Sequence, residues 1–161
     1  MIVFSGDWKY YPDAIVDTQT NNKSFIKVAA LYRDMGIKHY YFPLALLNPA
    51  IQGLSPYDEN LTIEQKAMIL EECDNNPWYY LREVVIDPGG GIDIDDMRFK
   101  ANRANIAALW LILACVDYLQ IQPRQTGKSF GADVNNLWLM YFKYRDTAIN
   151  LITKDETLRK S

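Results

Sequence analysis

The sequence contains few residues of the kinds that bind metal ions or cross-link a chain. Its 161 residues include one histidine and two cysteines, and His39, Cys73 and Cys115 lie far apart along the chain. A structural zinc site needs four ligands at short spacings, so the sequence offers no such cluster. We interpret both cysteines as free, buried thiols of a protein from a reducing compartment.

The sequence also lacks an excess of positive charge. Its 17 Lys and Arg residues stand against 20 Asp and Glu residues, which gives a net charge of −3 and a pI of about 5.1. Nonspecific binding to nucleic acid depends on many contacts from Lys and Arg to phosphates. We therefore expect any contact with DNA to be local or to lie outside this segment.

No run of apolar residues is long enough to suggest a membrane span. The most apolar stretch, residues 106–116, is shorter than the roughly 20 residues that a spanning helix needs. The N-terminus has no basic segment followed by an apolar one, so no signal peptide is indicated. With 49% hydrophobic and 23% charged residues, the composition predicts a soluble, intracellular, globular protein.

The first half of the chain has the pattern of a small helical unit. Residues 1–23 are expected to be irregular apart from a short strand at 2–4, and a helix is predicted from Ser24 to a stop at Gly36. The proline-containing stretch 40–56 predicts an irregular packed segment. A second helix is predicted to begin at a capping box formed by Thr62 and Gln65.

A third helix and a strong chain break follow. Pro77 suits a first helical turn, and the aromatic residues at 78–80 are interpreted as core, with a stacking platform for adenine or DNA as the alternative. The sequence DPGGG at 87–91 is the strongest break in the chain. We predict a helical N-terminal subdomain over residues 1–90 and the first part of a second domain over residues 91–161.

The second part alternates between helical and strand patterns. A buried helix is predicted over 102–115, a short strand over 118–122, a helix over 127–142 and a strand over 147–153. This order is typical of an α/β domain.

The segment IQPRQTGKSF ends like a phosphate-binding P-loop. Such a loop joins a strand to a helix, with backbone N–H groups and the positive helix end facing the phosphates. Here Gly127 would permit close backbone approach, Lys128 would reach the β- and γ-phosphates, and the Ser129 hydroxyl would bind Mg²⁺. The alternative is a turn glycine followed by the solvated start of a helix.

The loop departs from the common motif at its first glycine, where this sequence has Gln122. With Arg124 and Gln125 ahead of GKS at 127–129, it resembles the P-loop of the large terminase subunits of tailed bacteriophages. That P-loop typically lacks the first glycine and carries Arg-Gln before its final Gly-Lys-Ser/Thr.

The resemblance extends upstream of the loop. The blocks NPWYYLREVV (76–85) and FKANRANIAALWLILACVDYLQIQPRQTGKS (99–129) are similar to those that precede the P-loop in a group of these terminases. The resemblance implies an α/β fold: a helical N-terminal subdomain, then the start of a P-loop NTPase of the ASCE/RecA-like three-layer type, of which this chain would hold only the first part.

The resemblance also implies which residues bind ATP and Mg²⁺. The loop residues in that role would be Gln122, Pro123, Arg124, Gln125, Thr126, Gly127, Lys128 and Ser129. Lys128 and Arg124 would be catalytic, Arg124 as an arginine finger in cis, with a surface ion pair as the alternative.

A polar residue ahead of the P-loop reads the adenine edge in this family, a role that a glutamine has in related helicases. Asn102 or Asn105 stands at about that distance here. Helix N-capping by Asn102 is the alternative.

The family resemblance implies the function of the parent protein. It would be an ATPase motor that moves double-stranded DNA through a portal into the procapsid in the host cell cytoplasm, with an endonuclease further along the chain. Its partners would be the portal, the small terminase and other copies in a ring, with no membrane contact.

The acidic motif that hydrolysis requires is missing after the P-loop. We therefore expect this chain to be an N-terminal fragment that binds nucleotide weakly and does not turn it over. The alternatives are a fragment of a superfamily 2-type helicase and a non-enzymatic module that docks on packaging or capsid components.

Overall fold

A computed structural model of the protein describes residues 9–87, 97–121 and 128–144, without the side chains of Lys128 and Ser129. Within these ranges the chain is rich in helix. The α-helices are α1 (Lys23–Asp34), α2 (Ile63–Asn75), α3 (Pro77–Tyr79), α4 (Arg103–Leu113) and α5 (Lys128–Trp138). The π-helical turns Tyr80–Val84 and Leu139–Lys143 extend α3 and α5.

The described sheet has two short antiparallel strands. They are β1 (Ile15–Val16) and β2 (Ala45–Leu46), and the pairing sets Ile15 opposite Leu46. Single 3-10 turns, Phe42–Leu44 and Pro49–Ile51, flank β2. The α/β P-loop fold stays a prediction, because its loop and its last expected strand fall outside the described residues.

Local sequence signals place the helix ends close to where they were predicted. Asn22 caps α1 by accepting a hydrogen bond from the Ser24 backbone, and Gly36 takes a left-handed φ of 74° just beyond the helix end, a conformation that glycine adopts without steric cost. The capping box of α2 is confirmed. The Thr62 backbone N–H donates to Gln65 Oε1 at 2.9 Å, and the Gln65 backbone N–H donates to Thr62 Oγ1 at 3.2 Å.

The main hydrophobic core is built from every described α-helix except α2. Trp78 is fully buried in it, which confirms the core interpretation of this residue. Residues from both sides of the predicted boundary at position 90 contribute. The core residues are Phe25, Val28, Ala29, Tyr32, Phe42, Leu44, Trp78, Leu81, Val85, Phe99, Ile106, Leu109, Leu113, Val134 and Trp138.

A smaller core lies beneath α2. It consists of Leu46, Ile51, Leu61, Ile69, Cys73 and Tyr79. The buried carboxylate of Glu72 connects α2 to the chain after β2, since it accepts hydrogen bonds from the backbone of Leu47 at 2.8 Å and of Asn48 at 2.9 Å. Burial raises the pKa of Glu72, and these hydrogen bonds act against that rise.

An isolated antiparallel bridge joins Ile86 to Arg98. The backbone of Phe99 donates to the Val85 carbonyl at 3.2 Å on one side of it. The bridge brings the chain that leads into α4 back against the end of α3. Of the chain break predicted at 87–91, residues 88–91 lie outside the described residues.

A buried cluster of charges lies where β1, β2 and α3 meet. The guanidinium of Arg82 has no solvent exposure, and it contacts Asp17 at 3.1 Å and Glu83 at 3.0 Å. Arg98 contacts the second oxygen of Glu83 at 2.9 Å, and the Thr20 hydroxyl also donates to Glu83. Sequence reasoning missed this cluster, for which the adjacent charges in the apolar stretch LREVV are the only local signal.

The predicted strands differ in part from the structure, and some of them lie outside the described residues. The strand predicted over 118–122 is not formed in its described part, 118–121, where Leu119 and Ile121 are each 86% exposed. A strand needs a partner, and none of the described residues pairs with this stretch. The strands β1 and β2 were not predicted, since they lie in the stretches 1–23 and 40–56 that were expected to be irregular there. The strands expected at 2–4 and 147–153 lie outside the described residues.

The cysteine prediction holds for one thiol only. Cys73 is buried and Cys115 is exposed. Cys115 follows the end of α4 with a left-handed φ of 55°, so it lies outside the helical face that packs on the core.

We expect Arg82→Ala to lower the free energy of unfolding by about 3–5 kcal/mol, because it removes the cation that pairs with the buried Asp17 and one of the two cations that pair with Glu83. Urea denaturation measures the change. Arg33→Ala is the matched control, since Arg33 and Asp34 form an exposed pair at 3.2 Å and its loss should cost less than about 1 kcal/mol. Equal stability of the two variants would contradict a structural role for the buried cluster.

We expect a thiol reagent such as Ellman's reagent to label one cysteine of the native chain rapidly. Burial raises the pKa of Cys73 to about 12, so this thiol is neither accessible nor ionised. Cys115→Ser should abolish the rapid phase, and both thiols of the wild-type chain should react in denaturant. Two rapid thiols in the native chain would show that Cys73 is not buried.

Candidate functional site

Most of the predicted phosphate-binding loop lies outside the described residues. The residues concerned are Gln122, Pro123, Arg124, Gln125, Thr126 and Gly127, and the side chains of Lys128 and Ser129. The helix α5 begins at Lys128 and runs for 11 residues, so a helix is present in the described part of the range 127–142 where the sequence predicts one. The nucleotide roles of these residues stay predictions.

The helix that follows the motif is firmly attached to the core. Trp138 is buried, and its indole Nε1 donates to the backbone oxygen of Cys73 at 2.8 Å. Near the start of α5, Phe130 stacks on Phe99 with ring centroids 5.9 Å apart. The positive end of the helix dipole is therefore held beside the segment that leads into α4.

The two candidate adenine-reading residues form the N-terminal cap of α4. Asn102 Oδ1 accepts hydrogen bonds from the backbone of Ala104 and Asn105, both at 3.0 Å, and Asn105 Oδ1 accepts from the Asn102 backbone at 2.8 Å. The Asn105 Nδ2 donates to the Lys100 carbonyl at 3.0 Å. The capping alternative for Asn102 is thus confirmed, and adenine reading by either residue stays a prediction.

A hydrogen bond from a tyrosine side chain connects α1 to the first turn of α4. The Tyr32 hydroxyl donates to the Arg103 carbonyl at 3.2 Å. Burial raises the pKa of Tyr32 to about 12, and the nearby positive charge of Arg103 lowers it less than burial raises it. The hydroxyl therefore stays protonated as the donor in this contact.

An open groove of about 600 Å³ lies between the C-terminal end of α1 and α4. A volume of this size is within the range of ligand-binding clefts. Its walls are mainly apolar, and its basic lining residues are Lys38, His39 and Arg103. The remaining lining residues are Tyr32, Met35, Ile37, Phe42, Ala104, Ala107, Trp110 and Leu111.

His39 lies in this lining with an uncommon backbone conformation. Its φ is 63°, in the left-handed region that residues other than glycine rarely adopt. Its ring contacts Tyr41, with the Nδ1 atom 3.1 Å from the Tyr41 hydroxyl. The turn after α1 thus holds the imidazole in one position at the groove.

Sequence reasoning missed the groove. The available signal was the sequence of α4, RANIAALWLIL, which is apolar at every position from 106 to 113. A helix of this kind needs cover on all sides, and the core contacts only one of them.

The described residues offer neither a metal-binding cluster nor a membrane-spanning helix. No group of three or more His, Cys, Asp or Glu side chains is placed to hold a metal ion. None of the described helices has the length and apolar character needed to cross a membrane.

Comparison with known proteins adds no relative. No protein-family model, curated protein or solved structure matches this chain. The family resemblance therefore depends on the motif residues and their order along the chain.

We expect Asn102→Ala to lower the free energy of unfolding by about 1 kcal/mol, because α4 loses its N-cap. Asn102→Asp should stay close to wild type, since a carboxylate accepts the same two backbone hydrogen bonds and suits the positive helix end. Denaturant unfolding measures both variants. An equal loss in the two would mean that the cap oxygen does not stabilise α4.

Proposed function

We propose that this chain binds ATP and Mg²⁺ as the N-terminal part of the large terminase subunit of a tailed bacteriophage. The parent protein would be the ATPase that drives double-stranded DNA into the procapsid in the host cell cytoplasm. The observation that carries the proposal is the sequence RQTGKS, whose last two residues, Lys128 and Ser129, begin the helix α5.

The physical support comes from what a helix start offers an anion. The first N–H groups of a helix have no partner within it, and the helix dipole adds partial positive charge at the same end. A lysine and a hydroxyl residue at this point supply a cation for the phosphates and a ligand for Mg²⁺. The chain has both at the opening of α5, as Lys128 and Ser129.

The anchoring of α5 suits this role. Phosphate binding requires N–H groups that are held in place before the ligand arrives. The buried Val134 and Trp138 fix α5 against the core, so its first turn is positioned by the fold rather than by the ligand.

The wider partners belong to the parent protein. DNA, the portal and the small terminase would bind the full-length motor. This chain has a net charge of −3, so we expect it to supply only part of the surface that contacts DNA. A superfamily 2-type helicase also has a P-loop, but Arg-Gln ahead of GKS favours the terminase.

We expect calorimetry to detect binding of a non-hydrolysable ATP analogue with Mg²⁺, and Lys128→Ala to weaken it at least about tenfold through loss of the phosphate contact. The matched control is Lys66→Ala, at an exposed lysine of α2, which should bind as wild type does. Arg124→Ala should keep most of the affinity, because an arginine finger acts on the transition state.

Equal affinity of Lys128→Ala and Lys66→Ala, or no binding by a folded wild-type chain, would contradict the proposal. The same titration tests the adenine prediction. Asn102→Asp keeps the cap oxygens and removes the amide donor, so a loss of preference for ATP over GTP would assign base reading to Asn102. An unchanged preference would limit Asn102 to its capping role.

A further inference from the structure

The helix α4 presents apolar side chains on two faces. One stripe, Ile106, Leu109 and Leu113, is buried in the main core. A second stripe lines the groove and consists of Ala104, Ala107, Trp110 and Leu111. At about 100° per residue the two stripes are centred roughly a third of a turn apart, so the second one lies beside the core-facing stripe, and its Trp110 is half-buried against the core.

The opposite wall of the groove is also apolar and largely open. Met35 is 51% exposed and Ile37 is 39% exposed, and Ala107 on α4 is exposed as well. A contiguous apolar surface of this kind on a soluble domain usually marks a site of interaction.

The charges around the groove have one sign. Lys38 and Arg103 line it together with His39, and no acidic residue is among the described lining residues. This contrasts with the chain as a whole, whose net charge is −3. A complementary partner would carry acidic groups beside its apolar contacts.

We propose that this groove binds an amphipathic helix of another protein, with apolar residues at i, i+3 or i+4, and i+7 and with Asp or Glu beside them. An open, mainly apolar groove with one helical wall, α4, is a surface on which the apolar face of another helix can pack. Lys38 and Arg103 then pair with the acidic residues and fix the orientation of the bound helix.

A second groove on the same chain provides an internal comparison. It has a volume of about 520 Å³ and an apolar lining from α2 and the end of α5, but its charged lining residues are Glu71 and Asp74. A peptide that binds through apolar character alone would bind either groove. An acidic peptide distinguishes them by charge.

The experiment is a peptide selection on the full chain. A random library of 16-residue peptides displayed on phage is selected on the immobilised wild-type chain and counter-selected on Ala107→Glu. This substitution places a negative charge in the groove at an exposed helical position. We expect the enriched peptides to combine apolar residues at helical spacing with Asp and Glu.

Fluorescence anisotropy with the best enriched peptide then measures affinity. Ala107→Glu and Arg103→Glu should each raise the Kd at least about tenfold, and a version of the peptide with Lys in place of its acidic residues should not bind. Ala67→Glu, the same change at an exposed position of α2, should change the Kd by less than about twofold.

Several results would overturn the proposal. One is the absence of peptides whose enrichment depends on position 107, and another is enrichment of neutral or basic peptides. Sedimentation that shows a dimer of the wild-type chain and a monomer of Ala107→Glu would assign the groove to a second copy. Displacement of the peptide by MgATP would assign it to a nucleotide.

Discussion

The arrangement of the described segments depends on the contacts that the buried guanidinium of Arg82 makes. It binds Asp17 beside β1, the Pro43 carbonyl at 2.8 Å ahead of β2, and Glu83 within its own turn. A buried charge is costly unless it is paired and fully hydrogen-bonded. These segments therefore stabilise one another when they assemble, because moving one of them away would take from the Arg82 guanidinium either a carboxylate partner or a carbonyl acceptor.

The same cluster extends to the second half of the chain. Asn22, next to the cluster, donates from its amide to the carbonyls of Arg82 and Phe99, both at 3.0 Å. Phe99 in turn stacks on Phe130 near the start of α5. The helix that carries the predicted phosphate-binding lysine is thus connected, through backbone and ring contacts, to the charges at the centre of the molecule.

The helix α4 contributes residues both to the main core and to the wall of the groove. Its core stripe holds α5 in place, and its second stripe forms one wall of the basic groove. Nucleotide binding at the start of α5 and helix binding at the groove are separate proposals that depend on different faces of α4. A ligand at one face would act on the other only by moving this helix.

Signals within a few residues of one another were readable from the sequence. The capping box of Thr62 and Gln65, the proline that begins α3 and the GKS motif at the start of α5 are all local features. The hydrogen bonds of a helix end join residues at most about four positions apart, so the sequence alone determines them.

Contacts between distant residues were decided by the tertiary structure. Arg82 and Asp17 are 65 positions apart, and the groove combines the end of α1 with α4. The local signals were the charges within LREVV and the apolar sequence of α4, and neither identifies the distant partner. The apolar sequence of α4 is also compatible with burial on every side. The exposed stretch 118–121 also depends on a distant partner. Its β-branched and aromatic residues favour a strand, but a strand forms only where a partner strand is present.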